Sequence, residues 1–143
     1  MAIEWSDSLA TGVGWQDKQH KELFRRINSL LDAMNAGLGK EEVSRLFTFL
    51  DDYFVVHFEA EEQAMNRYRY PGLISHLAEH MGFIERVSAL KDECGKGITT
   101  GSVIKVQRLV VDWLVNHIGG VDKALGSFLI DAERDERLAG RKD

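Results

Sequence analysis

The chain has one cysteine (Cys94) and one proline (Pro71) among 143 residues. A lone cysteine excludes a disulfide framework and any zinc or iron–sulfur site built on thiolates. Val and Ile are scattered, and no alternating apolar pattern marks a strand, so the chain reads as all-α. No stretch approaches the roughly 20 apolar residues of a membrane-spanning helix. The segment Met1–Ser8 is acidic and lacks the apolar run of a secretory signal. Net charge is −5, with acids and bases interspersed. No basic stripe offers itself to phosphates, which excludes nucleic acid as a partner. These absences predict a soluble, cytoplasmic protein without membrane insertion, and a monomer is expected, although nothing in the sequence fixes the oligomeric state.

With 44% hydrophobic and 29% charged residues, the composition is that of an ordinary globular protein. Its length suits a single domain spanning 1–143, which buries roughly 70% of its unfolded surface. Residues 1–16 read as an irregular arm anchored by Trp5 and Trp15. A first helix is predicted from Asp17 to Ala36, its apolar stripe stepping through Phe24, Ile27, Leu31 and Met34, with Gly37 and Gly39 as its stop. A second runs from Lys40 to Asn66 with the stripe Leu46, Leu50, Tyr53, His57, Glu61 and Met65. Glu41 and Glu42 lie in its first turn, where negative charge suits the helix dipole. Pro71 suits the first position of a third helix, since no N–H is needed there. The stripe of that helix is Leu73, His76, His80, Phe83, Val87, Leu90 and Cys94, and a loop at Gly95, Gly97 and Gly101 follows it. The fourth helix carries Val103, Val106, Val110, Trp113 and His117 on one face. Gly119-Gly120 is expected to interrupt it, a short helical segment from Val121 to Ile130 to follow, and 131–143 to form a charged, solvated tail. Short connections favour an antiparallel up-down-up-down four-helix bundle.

The five histidines carry the chemistry. His57, His76, His80 and His117 lie on the inner stripes, and His20 precedes Phe24 by four on the first. His20, His76 and His80 start their helices; His57 and His117 end theirs. In an antiparallel bundle these places share one end, so all five imidazoles fall in one layer. Glu61, four residues after His57, shares its face about 5.4 Å along the axis. Asp122 is five beyond His117. On an unbroken helix the two diverge by about 140°, so the glycine pair must bend the backbone to bring Asp122 inward. One inward histidine is more often a satisfied core residue than a ligand. Five at one level with two acids would cost several kcal/mol in desolvation and unmade hydrogen bonds without a metal.

That donor set exceeds a four-ligand structural zinc and is too rich in nitrogen for calcium or magnesium. It suits two octahedral first-row ions bridged by carboxylates, with iron the natural choice. Ferritin-like di-iron proteins use Glu-x-x-His pairs. No glutamate of this chain has a histidine three residues on.

The sequence resembles the haemerythrins, specifically single-domain bacteriohaemerythrins. The resemblance rests on His20-Lys21-Glu22-Leu23-Phe24, His57-Phe58-Glu59-Ala60-Glu61-Glu62, Tyr70-Pro71 leading to His76-Leu77-Ala78-Glu79-His80, and Trp113-Leu114-Val115-Asn116-His117-Ile118 followed by Asp122. It implies that His76, His80 and His117 bind one iron, that His20 and His57 bind the other, and that Glu61 and Asp122 bridge with an oxo or hydroxo group. The iron with two imidazoles then has one place for oxygen, which would take two electrons from the ferrous pair and a proton from the bridge. Phe58, Trp113, Leu114 and Ile118 are the candidate walls of a dry oxygen pocket. Many relatives carry a tyrosine three residues after the bridging aspartate, where this chain has Leu125. The missing contact implies an effect on oxygen release or autoxidation.

The expected function is therefore reversible oxygen binding for transport, storage or delivery to an oxygen-using enzyme, without catalysis. The alternatives are an oxygen or iron sensor acting through a partner and a di-iron enzyme consuming peroxide or nitric oxide.

Overall fold

The structure, a computed structural model, describes residues 5–140 apart from the side chain of Leu114. Residues 1–4 of the expected arm and 141–143 of the expected tail lie outside the described residues, as does the Leu114 side chain proposed as a pocket wall.

Four helical rods form an antiparallel bundle. The first is α1 (Gly14–Asn35). The second joins α2 (Gly39–Tyr53) to α3 (Glu59–Arg67) through a π turn at Phe54–Phe58. The third is α4 (Leu73–Gly95). The fourth joins α5 (Thr100–Asn116) to α6 (Lys123–Gly140) through a second π turn at His117–Asp122. Helix α1 packs on α2 and α5, α2 on α5, and α4 on both α3 and α5. No strand occurs among the described residues.

Several boundaries differ from the sequence reading. Gly39 opens α2 rather than ending α1. The stop is made by Gly37, whose φ of +78° lets the Leu38 N–H return to the Ala33 carbonyl at 2.7 Å. Pro71 does not start the third helix. It sits in the turn closed by the Leu73 N–H on the Tyr70 carbonyl at 3.2 Å, where its fixed φ fits the second turn position. Gly101 lies within α5, whose start is tied by Thr99 and Ser102: the Ser102 N–H donates to Thr99 Oγ1 at 3.1 Å, and the Thr99 N–H donates to Ser102 Oγ at 3.3 Å.

Gly119-Gly120 does not interrupt the fourth rod. The chain widens there into a π turn and runs on as helix, so the charged segment 131–140 is helical, with most of its residues exposed. Its charges pair on the surface: Arg134 pairs with Asp131 at 2.5 Å, and Glu136 accepts from Arg67 and Tyr68, each at 2.8 Å.

In all four rods the same order repeats. The large core cluster includes Leu23, Phe24, Tyr53, Phe58, Phe83, Trp113 and Ile118. A smaller apolar cluster of Val13, Met65, Leu125 and Leu129, joined by Leu73 and Leu77, closes one end. Between the two, on every rod, lie the buried polar residues: Gln16 and His20, His57 and Glu61, His76 and His80, His117 and Asp122. The arm seals this end. Asp17 accepts from Thr11 N–H at 2.8 Å and Gly12 N–H at 3.2 Å, and Thr11 lies so close to α6 that a Cβ on Gly126 would stand 2.6 Å from its Cβ.

Candidate metal centre

The seven sequence-predicted donors meet in one layer, each 0–1% exposed. His20 Nε2 lies 2.8 Å from Asp122 Oδ2. Asp122 Oδ1 lies 2.9 Å from His117 Nε2 and 3.2 Å from His76 Nε2. Glu61 Oε1 lies 3.1 Å from His80 Nε2, 3.2 Å from His57 Nε2 and 3.6 Å from His76 Nε2. All five imidazoles present the same nitrogen to the two carboxylates.

The π turns make this possible. Five α-helical steps leave two side chains about 140° apart. A π turn takes one extra residue, so the fifth residue stands near where the fourth would on an α-helix. This is how the turn at His117–Asp122 brings Asp122 inward. In the second rod, Tyr53, His57, Glu61 and Met65 follow at a repeated spacing of four, which on a pure α-helix drifts about 40° per step. The turn at Phe54–Phe58 takes up that drift.

The residues fit a pair of cations. None of the five Nε2 atoms makes an aligned hydrogen bond, and neither do Glu61 Oε1 or the two Asp122 oxygens, although all are buried. Each such atom in a dry interior costs on the order of 1–3 kcal/mol or more. The donor atoms fall into two groups, each within 4.8 Å: Glu61, His76, His80, His117 and Asp122, and His20, His57, Glu61 and Asp122. The groups share both carboxylates, and one contains three imidazoles, the other two.

Electrostatics point the same way. Burial pushes Glu61 upward, but the His57 charge and the contacts of His57, His76 and His80 hold it well below the ordinary carboxylate range. Burial and the Glu61 charge push Asp122 up, and the contacts of His117, His20 and His76 carry it below that range. Burial pushes His76 down, yet Asp122 and Glu61 raise it to about 9. His117 is raised by Asp122 and Glu79 against burial. His80 is lowered by burial and by the charges of His76 and His117, which outweigh Glu61. The two buried carboxylates thus favour positive charge in the layer.

Residues outside the predicted set orient the donors. The His57 Nδ1–H donates to Gln19 Oε1, and the His117 Nδ1–H donates to Glu79 Oε2 at 3.1 Å. Each bond fixes the tautomer that leaves the Nε2 lone pair facing the centre. Glu62 lies 3.6 Å from His80 Nδ1. Gln16 Nε2 donates to Glu61 Oε2 at 2.6 Å. Gln16 stands four before His20 on the same stripe, a signal the sequence carried. Gln19, Glu62 and Glu79 are flanking residues of ligands with no periodic signature.

The expected walls Phe58, Trp113 and Ile118 lie beside the layer. Phe58 stacks on His80 with centroids 3.8 Å apart at 4°. Trp113 stacks on His117 at 4.2 Å and 13°, and on Phe83 at 4.0 Å and 16°. Ile118 is fully buried, and Leu125 is buried in the smaller cluster. A surface groove edged by Glu79 and Asn116 reaches His117 over the Phe83–Trp113 pair.

The family model described as "Hemerythrin HHE cation binding domain" matches residues 11–129. "Bacteriohemerythrin" of Methylococcus capsulatus is 36% identical over 121 residues, covering 85% of this chain and 91% of the relative. "Bacteriohemerythrin" of Pseudomonas aeruginosa is 36% identical over 122 residues, 84% of this chain and 76% of the relative. The crystal structure of a wild-type hemerythrin superposes with a TM-score of 0.72 at 32% identity, covering 90% of this chain and 98% of that one. With its four-helix bundle and its buried layer of imidazoles and carboxylates, the chain belongs to the haemerythrin family.

Proposed function

We propose that the chain binds molecular oxygen reversibly at two iron ions and serves to carry, store or deliver it rather than to catalyse a reaction. The observation that carries this reading is the sharing of Glu61 and Asp122 by two donor groups with unequal numbers of imidazoles. His76, His80 and His117 would hold one ion, His20 and His57 the other, and the two carboxylates, with an oxo or hydroxo group, would bridge them. Two ferrous ions bound there supply the two electrons that reversible oxygen binding requires. The end with two imidazoles is the side on which a small exogenous ligand would be accepted.

The remaining residues keep the chemistry reversible. Phe58, Trp113 and Ile118 lie beside the layer as apolar surface that would limit the access of water. Gln19 and Glu79 hold the His57 and His117 rings in place. The rigidity of the site therefore depends on these outer partners as well as on the donors.

The test is a visible spectrum of the iron-loaded protein, reduced under nitrogen, exposed to air and then deoxygenated. A ligand-to-iron charge-transfer band that appears with air and disappears under nitrogen supports the reading. Direct passage to a stable diferric spectrum overturns it.

A further inference from the structure

Tyr53 is a buried titratable group that the proposed function leaves unused. Its side chain is 6% exposed, and its hydroxyl, shielded from solvent, has no hydrogen-bond partner. The ring stacks on His57 with centroids 4.7 Å apart at 28°, and Phe49 and Phe58 surround it at 5.7 and 6.0 Å. It therefore stands at the two-imidazole end of the layer, in otherwise apolar company. A neutral O–H donor in an apolar wall, lacking an acceptor in the resting fold, costs free energy that a ligand could recover.

We propose that Tyr53 donates a hydrogen bond to the small exogenous ligand, dioxygen or a small anion, accepted at the His20–His57 end. This rests on the metal-centre reading above. The donor would favour ligands that carry negative charge on the atom facing it, and would slow their escape.

Azide is the probe, added to the iron-loaded, oxidised protein and to its Tyr53→Phe variant. Two irons per chain in both proteins uphold the metal-centre reading independently of Tyr53. Azide affinity about 3- to 10-fold weaker in Tyr53→Phe is the expected result. Equal affinity in the two iron-loaded proteins overturns the proposal. If Tyr53→Phe fails to load iron, the parent protein decides. An azide stretching band that shifts between H2O and D2O supports the hydrogen bond, and an unshifted band overturns it. Absence of iron from the parent itself would instead overturn the metal-centre reading.

Discussion

His117 and Asp122 are five residues apart, yet His117 Nε2 lies 2.9 Å from Asp122 Oδ1 because the backbone between them is wound as a π turn. Removing one residue from that turn lets it relax to α geometry, with Asp122 one position nearer and still on the inner face. Adding one rotates Asp122, Leu125 and Leu129 by about 100°. Deletion of Gly120, whose position has open space around it, is therefore expected to retain more bound iron than insertion of an alanine after Gly119. Metal analysis of the two purified variants checks this. Equal loss in both would contradict the role assigned to the turn.

Glu79 and Gln19 act through the imidazoles they orient. Glu79→Ala and Gln19→Ala are each expected to weaken metal binding by roughly 10- to 100-fold, with little change in helix content. Competition with a chelator of known affinity, alongside circular dichroism, measures both quantities. Unchanged affinity in both variants would show that packing alone holds the rings.

The metal-free and loaded proteins should respond to pH in opposite senses. Folding raises His76 from 6.5 to about 9. The stability from that shift is complete below 6.5 and is lost as pH rises through 9. Glu61 and Asp122 are depressed, so their contribution is present above the ordinary carboxylate range and lost on acidification. The Tm of the metal-free protein is expected to fall between pH 6.5 and 9. Metal affinity should rise over the same interval, because binding displaces protons from imidazole. Thermal melts and metal titrations across this range test both signs.

Ile118 is fully buried next to His117. Ile118→Ala is expected to cost about 2–5 kcal/mol through the cavity it leaves. It should also hasten irreversible oxidation of the oxygenated protein, since the cavity admits water or anions. Denaturant unfolding measures the first effect, and the decay of the oxygenated spectrum measures the second.

Much of this site is legible in the sequence because it depends on spacing and chain direction alone. The three–four alternation of Leu73, His76, His80 and Phe83 gives the register of α4, and short connections put His20, His57 and His117 at the same level. The π turns were not legible. Apolar periodicity averages over a helix and does not record one extra residue in a turn. Gly119-Gly120 accordingly looked like an interruption where the chain only widens. The charge of 131–140 marks a solvated segment, which does not by itself distinguish an exposed helix from an irregular end, although Ala132, Glu133, Arg134, Arg137 and Leu138 favour helix. Gln19 and Glu79 could not be singled out, since their roles follow from the rotation of neighbouring rods.

The most direct measurement is a titration of the metal-free protein with ferrous iron under nitrogen, followed by removal of unbound metal and an iron count. The account expects two irons per chain in the parent, and loss of the pair's integrity when His20 and His57 are both replaced by alanine. One iron or none in the parent, or two that remain unaltered in the double variant, would contradict it.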